Sequence, residues 1–139
     1  METKLTLKVY PTGGGRSAYR VIEVSDRITL ADLCGIILVS FDFDDDHLYA
    51  FYMDNNARRS MAAYTYEGWG GDNSRVHVKL SQFGLVKGHK FILHYDFGDD
   101  WMFHITVQKA EEVENAPTRI IKSVGEVAQY PGCDEDVEW

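Results

Sequence analysis

The 139 residues carry 45% hydrophobic and 26% charged side chains, enough apolar material for one domain with a core and too much for a disordered chain. No apolar run approaches the roughly 20 residues that span a bilayer, which argues against a membrane helix. The net charge of −8 is unevenly spread: residues 1–110 hold 12 basic and 14 acidic groups, residues 111–139 hold 2 and 8, so the excess sits at the C-terminal end and disfavours generic binding to phosphate backbones.

The chain opens without a signal-peptide pattern. Leu5, Leu7 and Val9 alternate with Lys4, Thr6 and Lys8, the period of a half-buried strand. "PTGGGRS" interrupts the alternation and "AYRVIEV" resumes it, which predicts a hairpin with a flexible glycine-rich loop. "GGGR" with Arg20 lacks the phosphate-loop spacing and lysine, and no helix starts at once after it. Thr29 as N-cap with Asp32 three residues on forms a capping box, and Ile28 with Leu33 a hydrophobic staple. Leu30, Leu33, Cys34, Ile37, Leu38 and Phe41 then make one apolar stripe, so the helix lies on a sheet. The acidic run from Asp42 to Asp46 opposes the dipole at a helix C-terminus and belongs just beyond it.

"HLYAFYM" predicts a third strand. Residues 55–74 read as a long loop, and "RVHVKLSQFGLVKG" as a short strand or helical turn ending at Gly88. In "HYDFGDDWMFHI", Phe91, Leu93, Tyr95 and Phe97 alternate before the turn and Trp101, Phe103, Ile105 and Val107 after it. A hairpin pairing 97 with 101, or an odd-length loop slipped by two, puts both sets on one face. The first of these leaves Gly98-Asp99-Asp100 as the loop. Beyond residue 110 a linker, one further strand over 118–124 and an acidic tail are expected. The order is that of an α+β domain: residues 1–110 as a core with one main helix on a mostly antiparallel sheet, similar by analogy to a β-grasp. Cys34 falls on the buried stripe and Cys133 in the tail, so no disulfide framework is expected and a reduced cytoplasmic protein is the simplest reading.

Several constellations invite chemistry, each with a plainer alternative. With 97 opposite 101, His94 faces His104, and Asp96 beside them would complete a weak metal site; half-buried polar residues on a sheet explain them better. Asp99 and Asp100 resemble an acid–base pair, yet turns select aspartate beside glycine. "DFDDDH" lacks the EF-hand pattern and reads as a solvated connection. Arg58, Arg59, Tyr64, Tyr66, Trp69 and Arg75 mix basic and aromatic groups, a composition that serves single-stranded nucleic acid or a protein interface. No nucleophile–base arrangement is evident, and no cofactor is expected.

"YDFGDDW" resembles the signature of the plasmid pRiA4b ORF-3-like family, whose members occur on plasmids, beside mobile elements and in many prokaryotic genomes. "YRVIEV", "ITLADL", "FDFDDDHLYAF" and "VKLSQFGLVKGHKFILHYDFGDDW" match it in order over most of the chain. The resemblance implies shared motif positions at Asp44, Asp45, His47, Tyr95, Asp96, Phe97, Gly98, Asp99 and Trp101. Many members carry a histidine two residues after the tryptophan; here that position is Phe103, and the cysteine-bearing C-terminal segment of longer members is reduced to "YPGCDEDVEW". The resemblance transfers no activity.

Three functional expectations follow. The first is a non-enzymatic binding module with a protein partner, using residues 55–74 and the 96–101 hairpin tip. The second is a metal-dependent hydrolase or nuclease built on Asp96, Asp99 and His47, which requires the segments 44–47 and 96–100 to converge. The third is mobile-element-linked DNA binding, which the acidic tail disfavours.

Overall fold

The computed structural model describes residues 1–129; the expected acidic tail, from residue 130 and including Cys133, lies outside the described residues. Among the described residues seven strands and one α-helix succeed one another as β1 (Glu2–Pro11), β2 (Tyr19–Ser25), α1 (Leu30–Ser40), β3 (Tyr49–Tyr52), β4 (Ala63–Tyr66), β5 (Lys90–Tyr95), β6 (Trp101–Val113) and β7 (Arg119–Val124). Two single-turn 3₁₀ helices, Ser74–His77 and Leu80–Phe83, stand between β4 and β5. The strands form one sheet in the order β4-β3-β5-β6-β1-β2-β7, and every neighbouring pair is antiparallel. The layout is α+β, as expected, and the β-grasp comparison finds no support in its order. Two elements arise where the sequence reading had other boundaries: β4 within the expected 55–74 loop, and β6 running past residue 110 to Val113.

Alternation decides which face each strand buries. Leu5, Leu7 and Val9 of β1 point to the same side as Phe91, Leu93 and Tyr95 of β5 and Phe103, Ile105 and Val107 of β6, and all are buried. The stripe of α1 closes over them, with Leu30, Leu33, Cys34, Ile37, Leu38 and Phe41 all buried. The capping box forms as read: the Asp32 N–H donates to Thr29 Oγ1 (3.1 Å), and the Thr29 N–H to Asp32 Oδ2 (3.0 Å).

The other end of α1 determines where the acidic run goes. The Asp42 N–H donates to Val39 O and the Phe43 N–H to Leu38 O, the two bonds of a Schellman turn. Asp42 takes the left-handed position (φ +60°) that glycine usually fills. Phe43 then turns back onto Leu38 in the core. No basic residue lies in the last turn of α1. Arg20 of β2 supplies the missing cation from the side, donating through Nε to Ser40 O (2.6 Å) with its guanidinium 4.3 Å from the centre of the Phe41 ring. The chain therefore leaves the helix locked in direction, and residues 42–48 are carried across the end of the sheet toward the tip of the β5–β6 hairpin.

Candidate functional site

Three segments meet at that end of the sheet: the 42–48 connection, the loop after β4, and the β5–β6 tip. Tyr95, the last residue of β5, is fully buried and joins the first to the third. Its hydroxyl donates to Asp44 O (2.5 Å) and accepts the N–H groups of Asp46 (2.8 Å) and His47 (3.1 Å). Burial pushes the phenol up to about 12, despite the two amides that favour its ionised form. Gln129 holds the same loop from the other side, accepting the Asp44 N–H (2.7 Å) and donating to Asp44 O (3.3 Å).

The tip itself differs from the expected three-residue loop. Tyr95 pairs with Trp101, His94 with Met102 and Ile92 with His104, so the loop is Asp96 to Asp100 and the register is the one slipped by two. Aspartates set this geometry. Asp96 (φ +64°) and Asp100 (φ +53°) take the left-handed positions, while Asp96 Oδ1 accepts the N–H groups of Gly98 (3.0 Å) and Asp99 (3.3 Å). The Asp100 N–H closes the loop on Asp96 O (2.6 Å). Gly98 serves close approach rather than unusual φ, since a Cβ there would stand 3.3 Å from Asp96 Oδ1. The longer loop also expels Phe97 from the core face where the alternation placed it. Phe97 is 41% exposed, with its ring against His94.

The register separates the histidines offered as metal ligands. His94 and His104 lie on the same face but not opposite one another, and each has its own partners. His94 bridges Tyr52 Oη (Nδ1, 2.8 Å) and Asp100 Oδ1 (Nε2, 2.7 Å). His104 meets Thr12 Oγ1 (2.9 Å) and stacks on Tyr10, and burial lowers its pKa. Asp96 turns to the opposite face and His47. Nε2 of His47 lies 3.4 Å from Asp96 Oδ2 and 3.2 Å from Asp46 Oδ1. The segments 44–47 and 96–100 thus converge, as the hydrolase reading required. Among the described residues, however, no group of three or more His, Cys, Asp or Glu could hold a metal ion, and Asp99 is tied in only through its backbone N–H.

Beside this junction opens a cleft of about 470 Å³, walled by Asp45, Asp46, His47 and Leu48 on one side and Tyr66, Gly68 and Trp69 on the other. Tyr66 stacks on Tyr49 (5.1 Å between ring centres). Gly68 (φ +87°) lies so close to Leu48 that a Cβ would stand 2.8 Å from its Cδ2. That approach brings the loop over the 45–48 segment, and Trp69 stands at the rim fully exposed. Burial, and secondarily Asp46, raise the Asp45 carboxyl.

The basic–aromatic set read from the sequence is divided by the fold. Tyr66 and Trp69 enter the cleft. Arg58 and Arg59 stand exposed on a turn whose N–H groups bond Asn56 Oδ1. Tyr64 packs against Phe83, and Arg75 lies over Tyr64 while donating to Ala63 O. Sequence reasoning missed Tyr52, Leu48 and Gln129. Tyr52 stood in a strand already read, and its alignment with His94 was legible only once β3 and β5 were paired.

Comparison with known proteins adds family and fold. The model of the family described as plasmid pRiA4b ORF-3-like protein matches residues 3–136. A crystal structure of a protein of unknown function, MM3350 from Methanosarcina mazei Go1, is similar at 27% identity and a TM-score of 0.63, over 88% of this chain and 70% of that one. No curated protein matches the chain.

Proposed function

The chain belongs to the plasmid pRiA4b ORF-3-like protein family, and from that footing we propose that it is a non-enzymatic binding module whose cleft between residues 45–48 and 66–69 receives a protein partner. One observation carries the reading: the shared motif is spent on holding a cleft wall, and a fully exposed tryptophan stands at its rim. Tyr95 and Asp96 bond the backbone of the 44–48 loop and of the tip, which supports positioning over chemistry. Exposed Trp beside Tyr is the composition of an interface centre. The polar wall is acidic, so a partner presenting Lys or Arg next to an apolar side chain complements it.

The test compares proteins retained from host lysate by wild type and by Trp69→Ala, with circular dichroism confirming that both are folded. A partner held by wild type and lost at least tenfold with Trp69→Ala supports the cleft. Identical retention by the two removes it.

A second reading, metal-dependent hydrolysis, starts from His47 standing between Asp46 and Asp96 and requires those side chains to rearrange around the ion, since as they stand they form no metal-binding group. Thermal melts with zinc, manganese or magnesium address it. A rise of several degrees that His47→Ala abolishes favours this reading, and unchanged melts reject it.

A further inference from the structure

The face of the sheet turned away from α1 carries a pattern that neither reading uses. Strand pairing sets Lys122 of β7 beside Val21 of β2, Val21 beside Lys8 of β1, Lys8 beside Thr106 of β6, and Thr106 beside Lys90 of β5. This is one straight row across five strands with a lysine on every second strand, about 10 Å apart at the ordinary strand spacing. The adjoining row is aromatic: Tyr10 of β1 pairs with His104 of β6, which pairs with Ile92, which pairs with Tyr52 of β3, and Tyr19 extends the row on β2. The two rows touch. Lys8 Nζ lies 4.5 Å from the centre of the Tyr19 ring and 5.6 Å from that of Tyr10, and Lys122 Nζ lies 5.6 Å from Tyr19. Lys8, Tyr10, Tyr19 and His104 keep partial exposure, and Lys90 and Lys122 are exposed. The nearby carboxylates are already paired: Lys4 lies 3.6 Å from Glu23 and 3.4 Å from Glu111, which Lys109 also meets.

We propose that this face binds single-stranded nucleic acid, with Lys122, Lys8 and Lys90 meeting phosphates spaced along one strand and the Tyr19–Tyr10–His104 row meeting bases. Lysines tracking a backbone beside aromatics that take bases is the physical arrangement by which single strands are held without sequence preference. The partner is chosen by charge complementarity and ring content together. Duplex DNA satisfies the lysines but keeps its bases stacked away from the tyrosines. The net charge of −8 opposes approach of a polyanion, so the interaction is weak and sharply salt-dependent.

The test is fluorescence anisotropy of the full chain with a labelled twelve-nucleotide oligothymidine, from 20 to 200 mM salt. Three phosphate contacts give a log–log slope of about −2, a loss of more than tenfold between 50 and 200 mM. Lys122→Glu is exposed and its fold is checked by melting; paired with Lys8→Glu it abolishes binding, and Tyr19→Leu weakens it severalfold. Trp69→Ala leaves binding unchanged, which keeps this face distinct from the cleft. Absence of binding at 20 mM salt, indifference to the lysine reversals, or equal affinity for a duplex of the same length would each overturn the proposal.

Discussion

One phenolic hydroxyl, that of Tyr95, holds three backbone groups of a loop some fifty residues earlier in the chain. Phenylalanine fills the same space, leaves the N–H groups of Asp46 and His47 without the hydroxyl and leaves Asp44 O to Gln129 alone, so Tyr95→Phe costs about 1–3 kcal/mol. Urea denaturation checks it; a midpoint unchanged from wild type would show that water replaces the hydroxyl at no cost. The same residue gives a pH signature. Its folded pKa stands near 12 against an ordinary 10.0, and burial raises Tyr49 as well. A raised acid binds its proton more tightly when folded, so its contribution is complete below pH 10 and drains away as pH climbs from 10 toward 12. Urea midpoints measured between pH 9 and 11.5 therefore fall above pH 10, and fall less in Tyr95→Phe.

At the scale of elements, the end of α1 shows how an acidic residue can occupy a place suited to glycine. Asp42 sits at φ +60° with its side chain exposed, and the Schellman bonds it completes are made by backbone alone. Asp42→Gly keeps those bonds and relieves the left-handed strain, offset by the greater freedom of glycine in the unfolded chain; a net gain of about 0.5 kcal/mol is expected from thermal melts. Helix α1 was legible because its signals are local: the capping residues and the stripe lie within twelve positions of one another. The α+β class and the faces that β1, β5 and β6 bury were legible from alternation. Strand β4 was not, since its four residues are half-buried on both sides and their polarity follows no period. The tip was legible to within two residues, because alternation limits a hairpin to registers that differ by two and the choice between them lay in the side-chain bonds of Asp96. Of the candidate site, the motif aspartates, Tyr95 and Trp69 stood out in the sequence, whereas the cleft depends on the close approach of Gly68 to Leu48 that no local pattern announces.

The described residues form a sheet that buries one face under α1 and has two edges, β4 and β7, to protect. Open edges invite pairing with other chains. At the β4 edge Arg75 reaches back to Ala63 O through both Nε (3.3 Å) and Nη2 (3.0 Å), filling an edge acceptor, while its guanidinium covers the Tyr64 ring. At the β7 edge the register breaks opposite Val21 and Ile22, and Lys122 is exposed close by. Both are devices that spoil a flat edge. Arg75→Ala opens the first of them. Size-exclusion chromatography of that variant is expected to show concentration-dependent oligomers where wild type shows none, with little change in thermal stability; a single unshifted peak at all concentrations would mean that the arginine does not guard the edge.

Strand β1 lies inside the sheet, between β6 and β2, although it precedes every other described element in the chain. Its neighbours are β2, which follows within ten residues, and β6, whose pairing partners run from Phe103 to Val113. While the chain is being synthesised, β1 and β2 form a hairpin that α1 alone can cover, and the other edge of β1 stays unpaired until β6 leaves the ribosome. Such a hairpin is marginal in water. The nascent chain therefore stays accessible to protease until residues beyond 113 emerge, then becomes resistant in one step. Stalled chains ending, with a common linker, at residue 95 and at residue 124 make that step visible on a gel.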